Sequence, residues 1–396
     1  MDPHLTSHSP EASVREYIDT TLTGLLHQLS LPPADSRPAI SLKRRPSPAS
    51  CTINPSNRAL EETAGAQVRR SYSWPGRTAY EAWRFTVVIR VLSIIEQAMR
   101  TGKMISKRDI YYIDPEYFRS QTIVDGVIDD LAYTIGVDRD ALHVEAAAKG
   151  LTVGCFRLKK HASSEVVYAR TSSMVGTHFP EFNEDVDEID ITGVRWVLVV
   201  EKEVCAVLPM TTVNQMLTGL IGSLPATRSK LLSLECGIGR GYFGDGYPDL
   251  CTRKFLRRLS DAAAPNIPFY ALVDGDPDGV AIMSTYKYGS AAHAHNNSRL
   301  NIPSLQWLGL RVTDASAGVD SVEDGALLSL TARDRKKTVA MLWNSPVLAH
   351  NGPELRWRAE LQRMLMLNIK AEIEVLYEQE KGLEGWIDQE MSRQVH

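Results

Sequence analysis

The stretch FYALVDGDPDGVAIMSTYKYGS, Phe269 to Ser290, runs an apolar segment straight into three aspartates at alternate positions, Asp274, Asp276 and Asp278. The apolar segment has the length and composition of a buried strand. So much negative charge at its end is costly unless something positive sits among the carboxylates. The usual occupant is a hard divalent cation held by oxygen ligands. A calcium loop of the D-x-D-x-D-G kind would need a bidentate Glu at its twelfth position, where Thr285 stands, and a helix in front of it, so that reading is discarded. Two metal readings remain: a phosphatase with a nucleophilic strand-end Asp, and a magnesium site that handles nucleic-acid phosphates. For the motif in isolation the favoured reading is plainer, a solvated turn punctuated by Gly275, Pro277 and Gly279.

A second acidic strand end changes the weighting. VRWVLVVEKEVCAVL, Val194 to Leu208, has an apolar core from Trp196 to Val200 that stops at Glu201. A nearly continuous Val/Leu run suits a strand covered on both faces, as in a parallel sheet. Ligands of open α/β sheets gather outside the carboxyl ends of the strands, where Glu201 can meet Asp274 and Asp276. One Glu plus a D-x-D is a set of three hard oxygen ligands suited to Mg²⁺, with water and phosphate completing the shell.

The chain has 396 residues, 43% hydrophobic and 23% charged, enough for two domains. No stretch approaches the run of about 18 apolar residues that a membrane span requires, and no secretory signal is expected. Five scattered cysteines without a C-x-x-C pair point to free thiols in a reducing compartment rather than zinc. Ten histidines form no H-E-x-x-H, and His293 and His295 stay unassigned. A net charge of −4 argues against a uniformly basic DNA-coating protein but permits a local basic channel. The basic clusters near Lys43, Arg108, Arg157 and Arg253 each read, alone, as solvated surface.

Residues 1–77 are rich in Pro and Ser and read mostly as a disordered tail with one helix near Glu11 to Leu29. KRRPSP within it is a weak nuclear-import or phosphorylation match. From Ala79, Phe85, Val88, Leu92, Ile95 and Met99 recur at helical spacing up to the stop at Gly102. Ser106 and Asp109 make a capping box for KRDIYYI, which Pro115 must end. A third helix follows from Gln121 to Ile135, with Val124, Val127, Ile128 and Leu131 as its apolar face. Two strands then read as a hairpin across Lys149-Gly150. Three helices and a hairpin make a winged-helix module, here spanning 78–180. Residues 181–193 carry six carboxylates and no base and read as an acidic linker. Over 194–396 strands and helices alternate, which indicates an α/β domain with a mostly parallel sheet, closed by a long helix from about Pro353 to Glu380. The glycines of CGIGRGYFGDGYPD are rejected as a dinucleotide site because Pro248 forbids the helix behind them, and there is no G-K-[ST] for a P-loop.

SKRDIYYIDPEYF, VLVVEKE, GYPD, LVDGDPDGVAIMSTYKYGS and IPSLQWLGL resemble, in that order, the A subunit of type IIB topoisomerase (topoisomerase VI). The closer likeness is to its eukaryotic relative, the sporulation-type protein that makes meiotic DNA double-strand breaks. The resemblance covers Thr78 onward. It implies a winged-helix domain carrying a tyrosine nucleophile, followed by a Toprim domain that binds Mg²⁺. The nucleophile carries over onto Tyr112, with Tyr111 the minority candidate, and the pocket arginine onto Arg108. The metal-binding acids carry over onto Glu201, Asp274 and Asp276, with Asp278 ranked below them. The family's loop lysine is replaced here by Asp245, which puts a phosphate contact from that loop in doubt. The implied reaction is transesterification on double-stranded DNA, leaving a 5′-phosphotyrosyl link. The resemblance further implies a homodimer whose sites are shared between chains and a nuclear location. Its implied partners are a topoisomerase VI B-like protein and other meiotic break-forming proteins. A hydrolytic Toprim nuclease and a non-catalytic DNA-binding homologue are the rival readings.

Overall fold

The structure, a computed structural model, describes residues 9–32, 34–65, 67–145, 151–154, 157–160, 166–168, 177–178, 186–192, 194–201, 230–236, 248–263, 267–316, 327–377 and 382–394. It divides into two compact units: one of residues 1–47, 62–147 and 291–296, the other of residues 48–61, 148–290 and 297–396.

The first unit is built on helices α1 (Pro10–Ser30), α2 (Ala79–Thr101), α3 (Lys107–Ile113), α4 (Pro115–Phe118) and α5 (Gln121–Ile135). The expected apolar faces are the buried ones. Phe85, Val88, Leu92, Ile95 and Met99 of α2 share a core with Val124, Val127, Ile128 and Leu131 of α5. Gly102 ends α2 in the left-handed region at φ 64°, where a residue without Cβ is cheapest. The stretch expected to be tail is folded. Val14, Ile18 and Leu25 of α1 enter this core, as do Ile40, Leu42 and Tyr72 from an antiparallel pair, Ala39–Lys43 with Arg69–Ser73. Each of these segments is too short and too interrupted by Pro and Ser to show periodicity alone. Their apolar residues are buried only because α2 and α5 offer a surface.

The expected hairpin is absent among the described residues. Val144–Glu145 pairs in parallel with Ile105–Ser106, whereas Leu151–Gly154 pairs with a strand of the second unit's sheet. Lys149-Gly150 lies outside the described residues. A local apolar pattern cannot say which partner a strand chooses, and here two successive strands choose different sheets.

The second unit holds a six-stranded sheet of β1 (Leu151–Gly154), β2 (Thr177–His178), β3 (Val194–Glu201), β4 (Lys230–Cys236), β5 (Phe269–Leu272) and β6 (Leu305–Gly309), in the order β2-β1-β4-β3-β5-β6. The four strands β4, β3, β5 and β6 are mutually parallel, and β1 and β2 add an antiparallel edge. Leu198, Val200, Tyr270 and Leu272 pack with Leu308, Ile373, Leu376, Trp386 and Ile387 on one face. The alternate residues Val197, Val199, Phe269 and Ala271 are also buried, so both faces are covered as the continuous apolar runs require. The second unit's described helices are α6 (Leu250–Ala262), α7 (Pro277–Tyr288), α8 (Val312–Ser316), α9 (Ala332–Asn344), α10 (Leu355–Leu367) and α11 (Gly382–Gln394).

Two further expectations are corrected in this unit. Part of the acidic linker, Val186–Asp190, is a strand antiparallel to Arg157–Lys160, with Glu188 opposite Lys159 and Asp190 opposite Arg157. Opposite charges across a strand pair favour that register. The long C-terminal helix is broken: α10 ends at Asn368 in the left-handed region (φ 55°), and Ile369–Lys370 pairs with Leu328–Ser329.

Within the first unit, three cations converge on one carboxylate. Asp129 of α5 is met by Lys107 Nζ at 2.5 Å, Arg139 Nε at 3.1 Å and Arg45 at 3.3 Å, and Arg45 also reaches Asp130 at 2.7 Å. Burial raises the Asp129 carboxyl pKa, but Lys107 and Arg139 outweigh it and hold the group below the usual range. The network ties the first residue of α3 to α5. Asp129→Ala leaves these cations half-buried without their partner, so urea denaturation should show a loss of at least about 3 kcal/mol.

Candidate active site

In the parallel part of the sheet the chain passes from β3 to β4 on one side and only later to β5 on the other. The strand order reverses between β3 and β5, and a crevice at the carboxyl ends of such strands is where α/β sheets bind ligands. Glu201 is the last residue of β3, and Asp274 stands two residues beyond β5. The Asp274 N–H donates to Glu201 Oε2 at 3.1 Å, across 73 residues of sequence. Asp276 caps α7: its Oδ1 accepts from the Gly279 N–H at 2.7 Å, with Pro277 in the first helical turn. The three acids expected from sequence therefore gather at one place.

The broken C-terminal helix completes the site. Ala371 exchanges two backbone hydrogen bonds with Gly275, at 2.8 and 3.1 Å, and the Ile373 N–H donates to Asp274 Oδ1 at 2.9 Å. Gly279 is required by close approach, because a Cβ there would meet the Asp274 carbonyl oxygen at 2.3 Å. Sequence reading missed Ile373, whose contribution is a backbone N–H that no side-chain motif signals. It also missed Lys337, which pairs with Asp278, although the RDRKK run was visible.

The electrostatics are those of a site short of positive charge. Burial, then Asp274 and Asp276, raise the Glu201 carboxyl well above the usual range. Burial and Asp276 push Asp274 up to about 8 against the Ile373 N–H, with Glu374 and Glu372 adding to the rise. Burial also raises Asp276, opposed by the Gly279 N–H, while Asp278 raises it further and Lys370 and Lys337 lower it. Among the described residues no three His, Cys, Asp or Glu side chains are arranged to hold a metal ion as they stand. Each of the three carboxylates nevertheless commits one oxygen to a backbone N–H and has no partner for the other among the described residues. Three uncommitted hard oxygens in a field that disfavours their charge fit a divalent cation such as Mg²⁺.

The phenols lie on α3 of the first unit. Its capping box is formed as expected: the Asp109 N–H donates to Ser106 Oγ at 3.0 Å, and the Ser106 N–H donates to Asp109 Oδ2 at 3.2 Å. Pro115 both stops α3 and starts α4, with Asp114 as the cap between them. Ile110 is fully buried and Tyr111 packs against the core. Tyr112, by contrast, is 63% exposed, its ring 5.4 Å from that of Tyr111. Arg108, one helical turn earlier on the same face, is exposed too. The two adjacent phenols are thus distinguished by packing. Asp245 and most of the glycine-rich loop lie outside the described residues. Of the two unassigned histidines, His293 meets Arg139 at 3.0 Å and His295 meets the Tyr133 ring edge-on.

Residues 83–144 match the family model for type IIB DNA topoisomerase, and residues 243–384 match that for the Toprim domain shared by Spo11 and the A subunit of topoisomerase 6. The first match contains Arg108 and Tyr112, the second Asp274 and Asp276. The meiotic recombination protein SPO11-1 of Oryza sativa subsp. indica is 34% identical over 74% of this chain and 70% of its own. The meiotic recombination protein rec12 of Schizosaccharomyces pombe is 31% identical over 96% of each chain. The A subunit of DNA topoisomerase 6 of Arabidopsis thaliana is 29% identical over 74% of this chain and 61% of its own.

A carboxylate whose folded pKa lies above its unfolded value supports folding at pH below the unfolded value and loses that contribution as pH rises toward the folded one. For Asp274 the window runs from about 4 to about 8. Asp274→Asn keeps an oxygen for the Ile373 N–H and removes the charge. Without divalent cation the variant should be the more stable protein at pH 8, by about 1–3 kcal/mol after allowance for solvent screening. Its stability should also fall less between pH 5 and pH 8. Added Mg²⁺ should raise the melting temperature of the unsubstituted chain and not that of an Asp274→Asn, Asp276→Asn double variant. Thermal melts over a pH and Mg²⁺ series measure both.

Proposed function

The chain belongs to the family of topoisomerase-like DNA-cleaving enzymes formed by Spo11 and the topoisomerase VI A subunits, and we propose that it makes the double-strand breaks of meiotic recombination with Tyr112 as nucleophile. The observation that carries the residue assignment is the contrast on α3. Tyr111 is spent on packing, whereas Tyr112 offers its hydroxyl to solvent beside the exposed Arg108.

In the reaction the Tyr112 oxygen attacks a backbone phosphorus. A phosphorus–oxygen bond to tyrosine forms as the bond to the 3′ oxygen breaks. The phenolic proton passes to solvent, and the departing oxygen takes up a proton to become a free 3′-hydroxyl. One ester replaces another, so no water is consumed and no nucleotide cofactor is needed at this step. A phenol with an ordinary pKa of about 10 is a weak nucleophile at neutral pH. The Arg108 guanidinium favours its phenolate and the approach of a phosphate. Glu201, Asp274 and Asp276 are assigned to Mg²⁺, which when bound supplies positive charge toward the scissile phosphate and leaving oxygen.

The tyrosine-bearing helices α2, α3 and α5 serve in this reading as a DNA-facing module of the winged-helix kind, supported by the helix order. A break in both strands needs two tyrosines and hence two chains, related by two-fold symmetry. One relative is by name the A member of a topoisomerase with several subunits, which supports a further protein of the B kind as partner. Meiotic recombination takes place on chromosomal DNA, and a protein that acts there works in the nucleus.

Tyr112→Phe should fold and bind DNA yet lose covalent DNA attachment by at least about a thousandfold, while Tyr111→Phe retains it. Recovery of DNA-linked peptide from Tyr112→Phe would reassign the nucleophile, and cleavage without any covalent adduct would identify a hydrolytic nuclease. Mixing a Tyr112→Phe chain with a Glu201→Gln chain tests the shared site. A mixed pair with sites shared between chains should nick one strand and carry the DNA on the Glu201→Gln chain. A pair verified on DNA that makes no nick has self-contained sites.

A further inference from the structure

Arg119 stands seven residues after Tyr112, at the point where α4 gives way to α5. Its backbone has φ 65° and ψ −39°, a region that glycine enters far more readily than a residue with a Cβ. The conformation is held from both sides. The Arg119 N–H donates to the Pro115 carbonyl at 2.9 Å, the Ser120 N–H donates to the Phe118 carbonyl at 2.7 Å, and the Phe118 side chain is fully buried. The side chain is exposed, but it does not wander: its guanidinium carbon sits 4.0 Å from the centre of the Trp83 ring. Trp83 is itself fixed, because its Nε1–H donates to the Tyr117 carbonyl at 2.9 Å and the Tyr80 ring lies 5.4 Å away. A guanidinium stacked on an aromatic face keeps its N–H edge free for a planar or tetrahedral oxyanion. Among the described residues that edge meets no acceptor, and neither Asp114 nor Glu116, both exposed nearby in the chain, pairs with it.

We propose that Arg119 binds a DNA backbone phosphate, its guanidinium held ready by Trp83, and so helps seat the duplex beside the nucleophile helix. The proposal rests on the DNA-cleavage reading above for the identity of its ligand. A surface arginine ordinarily loses rotamer freedom when it binds. Here the stack has removed that freedom beforehand, so more of the phosphate attraction appears as affinity. One junction at Asp114 and the single helical turn of α4 separate Arg119 from Tyr112, so the phosphate it holds lies within a few nucleotides of the one attacked. The backbone conformation explains why deleting the side chain is a clean test, since glycine at this φ is the less strained residue.

The test is fluorescence anisotropy of the full chain on a short labelled duplex over a salt series, with thermal melts of each variant. Arg119→Gly should melt no lower than the unsubstituted chain, bind several-fold more weakly whatever the duplex sequence, and reduce the slope of log affinity against log salt by about one. Arg119→Lys should keep the slope, having kept the charge. Trp83→Leu should also keep the slope while weakening binding, since the charge stays and its orientation is lost. An Arg119→Gly slope equal to that of the unsubstituted chain overturns the proposal, as does an Arg119→Lys slope reduced as far as that of Arg119→Gly. In either case covalent attachment through Tyr112 is unaffected as a reading. Absence of any DNA binding by the unsubstituted chain overturns both.

Discussion

Three carboxylates are held at the carboxyl ends of β3 and β5 although each makes ionisation of the others harder. What holds them is the backbone. The N–H groups of Asp274, Gly279 and Ile373 each take one oxygen of Glu201, Asp276 and Asp274 in turn. These bonds fix the side chains without neutralising them, which leaves three further oxygens and an unmet demand for positive charge. Much of the second unit serves this arrangement. Both faces of the parallel strands are covered, α7 starts at Asp276, and the segment after α10 turns back to bond Gly275 and Asp274. An apolar sheet supplies the rigidity that such a repulsive cluster lacks by itself.

The first unit solves the opposite problem, which is to present one phenol while hiding its neighbour. The capping box sets where α3 begins, Pro115 sets where it ends, and Ile110 with Tyr111 sets its rotation on the core. Lys107, at the first position of α3, is drawn to Asp129 together with Arg45 and Arg139, so the helix is tied by charge as well as by packing. Tyr112 and Arg108 are left on the outer face by default. The exposure of that pair follows from what the rest of the short helix is committed to.

The helices and parallel strands were legible because each carries its own pattern. The 3.6-residue spacing of Phe85 to Met99, the Ser106–Asp109 box and the Val/Leu runs ending in acid need no distant partner to be recognised. The acidic ligand set and the Y-Y pair were visible for the same reason, as residue types at fixed spacing. The segments that misled were those whose state depends on a neighbour. Residues 10–73 looked like tail because their few apolar residues have value only against α2 and α5. The residues around Lys149-Gly150 looked like a hairpin because alternation says nothing about which sheet a strand will join. The helix from Pro353 was read through Asn368 because helical propensity alone does not reveal the pairing of Ile369–Lys370 with Leu328–Ser329.

By itself, then, the sequence determined the helical and parallel-strand elements, the family to which the chain belongs, and the identity of Glu201, Asp274, Asp276, Arg108 and Tyr112 as candidates. Tertiary structure alone decided that Glu201 meets Asp274 across 73 residues, that the Ile373 N–H steadies the cluster, and that Tyr112 rather than Tyr111 faces solvent. It also decided that Arg119 lies on Trp83. The reason is physical. Periodicity and caps are local free energies written into neighbouring residues, whereas burial, strand partnership and the pKa of a crowded carboxylate are set by groups brought close only when the chain folds.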